Sequence, residues 1–546
     1  MRRLALLVLL CAAALAAQLY TPGPQVLTFL SDVDDSDQPY GIYLPKNFDA
    51  ARKYPLVMSL HGAGSNHRLN LRRVFGKGNL PGETDPEATR YFPPLRDVDY
   101  IVASPLARGT MGFQGIAEKD VYDVMADVKR RFPIDEDRVY LTGLSMGGGG
   151  TLGLGLTRPD VWAAIAPVCA AAPQGSEELA PNALNLPVHL FHGDQDQAVP
   201  VEVSRKWHKL LLGLDSRAEY IEYPGVKHNS WDNAYKDAAI FEWFARHKRN
   251  RFPERVRFVS AAYRYGSAYW VQLDGLTPGT PASIDARFTG KNRIEVRTSQ
   301  LDGFTLKLDG HPSYSAAQPL GTEIDGASHK LKPGAPVSFN KGAAGWAAGR
   351  YAPPAGSKRA GLEGPIGEAI AARHLYVYGA AAGEEGERRR QQAAQAADWS
   401  SPRGRLLVSF RALADKEVRE ADLGANNLVL FGAKETNTLI ARFAPQFPIA
   451  LKPGAADYGL VFVAPAGERY AVVNSGLPFW TGADRVKRPG FRFVPVGFRL
   501  LQGFQDFILF QGSLENVIAE GRFDRNWKVP AEAAAKMLAT GAVEIR

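Results

Sequence analysis

Between Tyr40 and about Asn250, short apolar runs alternate with amphipathic stretches, and this alternation constrains the fold more than any other feature of the chain. The runs are YGIYLP (40–45), PLVMSLHG (55–62), DYIVASP (99–105), DRVYLTG (137–143), AAIAPV (163–168), PVHLFHG (187–193) and AEYIEYP (218–224). Most are continuously apolar, as strands are when both faces of their sheet are covered. Between them, Val121, Val124, Met125, Val128 and Phe132 share one helical face, and so do Val203, Trp207, Leu210 and Leu211. DAAIFEWFARHKR (237–249) predicts a closing helix. The pattern predicts an α/β unit, a mostly parallel sheet with helices on both faces, preceded by a hairpin from QVLTFLS to YGIYLP.

At 546 residues the chain is too long for one core. After Pro253 strict alternation takes over, as in Ile284, Ala286, Phe288 and in Ile294, Val296, Thr298, with DG turns at 302–303, 309–310 and 325–326. This predicts a small all-β domain over 253–343. KGAAGWAAGRYAPPAGSKRAG (341–361) reads as a linker, placed at 344–363, and 364–546 reads as a C-terminal α/β domain with no catalytic pattern. At the other end, Arg2 and Arg3 precede the apolar run Leu4–Ala17, with small residues at Ala14 and Ala16. That is the form of a signal peptide over 1–17, leaving 18–252 as the first domain and predicting a secreted or periplasmic protein with no integral span. A retained anchor is the alternative. Beyond the signal only Cys169 remains, so no internal disulfide is expected. The net charge of +8 is spread thinly, without a Lys/Arg block, and no nucleic-acid partner is expected.

The stretch GLSMGGGG (143–150) sets one serine among five glycines. DRVYLT before it is a strand and GGGTLGLGL can begin a helix, so Gly143-Leu144-Ser145-Met146-Gly147 is a strand–turn–helix G-x-S-x-G, the nucleophile elbow. Glycines two residues either side of Ser145 suit a tight turn where strand and helix come close. With 54 glycines in the chain the motif alone is weak. The rest of the constellation decides it.

A serine hydroxyl needs a base to take its proton, and the base needs an orienting acid. LFHGDQDQAVP (190–200) offers Asp194 and Asp196, and YPGVKHNSWDNAY (223–235) offers His228. Both follow strands and fall at the C-terminal sheet edge, where open α/β sheets bind ligands. Asp196 is the chosen acid, since Asp194 directly follows Gly193 and suits a turn cap. For the oxyanion, the backbone N–H groups of Met146 and of Ala63, in SLHGAGSNHR (59–68), are assigned as donors. His61 is read as holding that loop.

HGAG, GLSMGGGG, HGDQDQAVP and KHNSWDNAY together resemble the α/β-hydrolase superfamily, and within it secreted bacterial prolyl-oligopeptidase-like and feruloyl or acetyl-xylan esterase-like serine hydrolases. The resemblance covers about 40–250 and implies Asp196 as the acid of H-G-x-x-D-x-x-V-P. It implies a serine hydrolase working through an acyl-enzyme on ester or peptide bonds of a small ester, acylated carbohydrate or short peptide. The departure is that too few residues precede the unit to build the β-propeller of a prolyl oligopeptidase. A carbohydrate esterase is the first alternative, and a non-catalytic envelope or polysaccharide-binding protein the second. Arg108 and Trp231 are substrate-pocket candidates, although a salt bridge to Glu118 or Asp120 is the favoured use of Arg108 and ordinary packing is the alternative for Trp231. No cofactor and no metal is expected, since neither H-E-x-x-H nor a phosphate-binding loop is present.

Overall fold

The apolar runs assemble into one sheet in the computed structural model, which describes residues 20–381, 383–401, 406, 408–486 and 494–546. The signal-peptide reading for 1–17 lies outside the described residues. The strands are β1 (Gly23–Leu30), β2 (Asp37–Leu44), β3 (Tyr54–Leu60), β4 (Ile101–Pro105), β5 (Ile134–Leu144), β6 (Ala164–Val168), β7 (Val188–Gly193) and β8 (Ala218–Tyr223). Their order in the sheet is β1-β2-β4-β3-β5-β6-β7-β8. β1 and β2 form the leading hairpin, with Gly23 opposite Leu44. β2 joins β4 antiparallel, and from β4 to β8 every pairing is parallel. The loops after β3, β5, β7 and β8 therefore gather at one edge.

Helices α1 (His67–Arg73), α2 (Ile116–Arg131), α3 (Met146–Thr157) and α4 (Glu202–Leu212) cover the sheet. β3 is buried along its whole length, which is why its sequence shows no alternation. The closing pattern at 237–249 is not one helix. It folds as Lys236–Ala238 and Ile240–Phe244, because Asp237 and Ala238 take φ of +52° and +57°, left-handed values that a right-handed helix cannot run through.

Residues 255–348 fold as two five-stranded sheets, with Val256, Phe258, Ile284, Ala286, Ile294 and Val296 in the core between them. One pairing, Arg293–Val296 with Gly321–Ile324, is parallel. The last strand, Gly345–Ala348, pairs with Ser338–Gly342 inside the stretch read as a linker, so the β unit continues to Ala348. The remainder of that stretch is docked rather than free. Lys358 is buried, its ammonium paired with Asp506 and donating to the Phe523 carbonyl.

The C-terminal region is α/β, as its sequence suggests, built on a seven-stranded sheet. His374–Tyr378, Asn427–Phe431 and Arg469–Gly476 run parallel, while Tyr458–Ala466 lies antiparallel between Arg469–Gly476 and Phe507–Gln511. Helix α5 (Val496–Gly503) belongs to this region. Its buried apolar side chains and those of one face of the first sheet form a single continuous cluster. Arg264 of the β unit ties the three regions together, pairing with Glu118 of α2 at 3.2 Å and with Glu368 at 2.5 Å.

Candidate active site

β5 ends at Leu144 and α3 begins at Met146, leaving Ser145 alone between strand and helix with φ +55° and ψ −115°. A non-glycine residue pays strain for this conformation, and the surroundings must hold it there. The Ser145 N–H donates to the Val168 carbonyl at 2.9 Å, and the Ser145 carbonyl accepts from Gly149 at 3.0 Å and Ala171 at 3.1 Å. The glycines permit the close approach this requires. A Cβ on Gly147 would lie 2.2 Å from the Leu60 carbonyl oxygen, and one on Gly149 2.0 Å from that of Ala171.

The loop after β8 carries His228 and the loop after β7 carries Asp196. His228 Nε2 lies 2.9 Å from Ser145 Oγ, and His228 Nδ1 lies 2.7 Å from Asp196 Oδ2. The Asp196 side chain is fully buried, while that of His228 is 29% exposed, so the imidazole sits where a substrate can reach it. Asp196 Oδ1 accepts from the N–H groups of Ala198 at 2.8 Å and Val199 at 2.9 Å. Burial works against the charge of Asp196. The hydrogen bonds from Val199, His228 and Ala198 outweigh it and hold the carboxyl below its ordinary range. Asp194 instead accepts from the Gly225 N–H at 2.7 Å, the turn-holding use read from its position.

Sequence reading overlooked His192. It is buried on β7, with Nδ1 2.7 Å from Ser204 Oγ and Nε2 3.0 Å from the Val199 carbonyl and 3.2 Å from Asp196 Oδ2. It braces the acid loop from beneath, and its only signal was its place before Gly193 in a strand that otherwise reads as apolar.

The loop after β3 borders the serine, since a Cβ on Gly62 would lie 3.7 Å from Ser145 Cβ. Gly64 N–H donates to Thr110 Oγ1 at 2.9 Å, and the buried His61 ring sits between the carbonyls of Gly62 and Leu106 at 2.8 and 2.9 Å. Ala63 is exposed on this loop. Met146 is the first residue of α3, where a helix leaves its N–H without an intrahelical acceptor. Met146 thus adjoins Ser145 at the start of α3, and Ala63 lies on the loop that borders it.

Residues 117–241, which include Ser145, Asp196 and His228, match the family described as Phospholipase/Carboxylesterase. Over this stretch the chain carries an α/β-hydrolase domain. Over 389 residues, 65% of this chain, it is 25% identical to an uncharacterised secreted protein of Arthroderma benhamiae, of whose length it spans 40%. A thermostable esterase of known structure is 27% identical, covering 41% of this chain and 63% of its own, with a TM-score of 0.34. A ferulic acid esterase from Anaeromyces mucronatus is 19% identical, covering 41% of this chain and 90% of its own, with a TM-score of 0.32. The acylaminoacyl peptidase of Pyrococcus horikoshii is 16% identical, covering 43% of each chain, with a TM-score of 0.32. Among the described residues no helix is long and apolar enough to cross a membrane.

Within the hydrolase domain the two pocket candidates have different fates. Trp231 meets the His228 ring edge-on, with centroids 5.4 Å apart at 86°, and the Arg73 guanidinium lies 5.5 Å from its centroid. It packs edge-on against the imidazole. Arg108 is not a pocket residue. It is 2% exposed and its guanidinium is consumed by Asp120 at 2.7 Å, Asp34 at 2.5 Å and Ser31 Oγ at 2.7 Å. Desolvation makes an isolated charge too costly there, so two carboxylates enclose it, one of them the Asp120 considered from sequence. Ligand atoms of Cys169, Asp196 and His228 lie within 4.8 Å of one another. Burial pushes the Cys169 thiol up to about 12, so it holds its proton and offers a poor ligand, while the other two atoms are taken up by the serine's hydrogen-bond chain.

Proposed function

We propose that this chain is an exported serine hydrolase that cleaves ester bonds through an acyl-enzyme. The observation that carries this reading is the unbroken chain from Ser145 Oγ through His228 to buried Asp196, at 2.9 and 2.7 Å. Ser145 Oγ attacks the ester carbonyl as His228 Nε2 takes its proton, and Asp196 holds the imidazole in the tautomer that can accept. The negative charge forming on the carbonyl oxygen is met by the N–H groups of Met146 and Ala63, each such donor being worth roughly 10²–10³ in rate. His228 then passes its proton to the leaving alcohol. Water, deprotonated by the same imidazole, releases the acid and restores Ser145.

Esters are preferred to peptides because the family matched by the catalytic region is one of phospholipases and carboxylesterases. Acylated carbohydrates belong to the same chemistry. The basic, apolar leader and the secreted relative support export. The test compares kcat/KM for 4-nitrophenyl acetate and butyrate, a feruloylated sugar, acetylated xylan and a proline-containing peptide amide. One or more of the esters should exceed the peptide by at least about 10²-fold. Equal or better peptide turnover would overturn the ester reading.

A further inference from the structure

The loops after β4, β6 and β7 and the start of α3 border, together with α5, an open cavity of about 680 Å³. Its floor includes Met146, the residue that follows Ser145, and Val199 of the acid loop. Its far wall is Phe498, Arg499 and Gln502, residues some 350 positions further along the chain and part of the C-terminal region. α5 is anchored behind this wall by buried Leu500 and Leu501. It meets the hydrolase domain closely, since a Cβ on Gly115 would lie 3.0 Å from Gln502 Oε1. The C-terminal region thus forms one side of a cavity that reaches Met146, the chain neighbour of Ser145.

The chemistry of that wall is specific. Among the described residues lining the cavity, Arg499 is the only charged one. Its Nε is buried without a hydrogen-bond partner, and so is Gln502 Oε1. Among the described residues no ion pair takes up the Arg499 guanidinium either, in contrast to Arg108, Arg264 and Lys358 elsewhere. The guanidinium of this half-exposed side chain is a cation without an ion-pair partner among the described residues, at the edge of an otherwise uncharged cavity, which makes it a site for an anionic ligand group. Its apolar neighbours Met111, Val199 and Phe498 suit the body of such a ligand.

Resting on the esterase reading above, we propose that α5 completes the substrate cavity and that Arg499 binds a carboxylate carried by the ester substrate. Guanidinium and carboxylate match in geometry, a fork of N–H donors against two oxygens.

The test uses the full chain and two matched pairs of aryl esters. One pair is 4-nitrophenyl butyrate and 4-nitrophenyl hemiglutarate, with the charge on the acyl side. The other is phenyl acetate and 4-carboxyphenyl acetate, with the charge on the leaving group. In the unmodified protein one anionic member should show a KM at least about tenfold below its neutral partner. Arg499→Ala should erase that advantage, raising KM for the anionic member at least about tenfold more than for its neutral partner, and Arg499→Lys should restore part of it. Loss of both members alike, or no loss, would overturn the proposal. If the unmodified protein turns over no ester, the esterase reading falls instead. Calorimetry with glutarate then decides the anion site, which requires binding to the unmodified protein and none to Arg499→Ala.

Discussion

Ser145→Ala is expected to lower kcat for its ester substrate by about 10⁴–10⁶-fold, with the protein still folded. The loss is large because the oxygen that forms the acyl-enzyme is gone, and neither His228 nor Asp196 can substitute for it. The residue left behind is still gripped by its backbone bonds to Val168, Gly149 and Ala171. Only one hydrogen bond, to a partly exposed imidazole, is removed from the fold. Stability should change by no more than about 1 kcal/mol. Steady-state kinetics beside a thermal melt checks both halves. Retention of more than about one hundredth of the rate would place the nucleophile elsewhere.

Asp196→Asn should cost nearly as much, about 10⁴-fold in kcat. The two N–H groups of Ala198 and Val199 need an acceptor, so the amide oxygen of asparagine takes the Oδ1 position and its NH₂ faces His228 Nδ1. The imidazole then carries its proton on Nε2, facing Ser145 Oγ as a donor, and cannot accept. KM for a neutral ester should change little, since Asp196 is fully buried and touches no substrate. The carboxyl of Asp196 is held below its ordinary value of 3.8. Its contribution to stability is therefore complete above that value, and is lost only as pH falls through the lowered one. An asparagine variant within tenfold of the unmodified kcat would remove Asp196 from the machinery.

The catalytic region is legible in sequence because its signals are local. The elbow needs glycines at fixed offsets from Ser145, and each parallel strand writes its own apolar run. Asp196 and His228 each stand just after such a run. What sequence concealed depends on contacts between distant segments. Arg108 follows a strand at the site edge, yet Asp34 and Asp120, 74 and 12 residues away, draw it inside. The stretch after 341 has the composition of a tether, and the burial of Lys358 against Asp506 is set 148 residues later. His192 hides in an apolar strand. Arg499 and Gln502 carry no motif at all. Their meaning comes from where α5 is laid, beside Gly115 and the cavity next to Met146.

Labelling of the folded protein with a fluorophosphonate, followed by peptide mass mapping, addresses the proposed reactivity most directly. One adduct per chain on Ser145 is predicted, formed at least about 10²-fold more slowly in His228→Gln. An intact fold that takes no label, or takes it on another residue, would contradict the account.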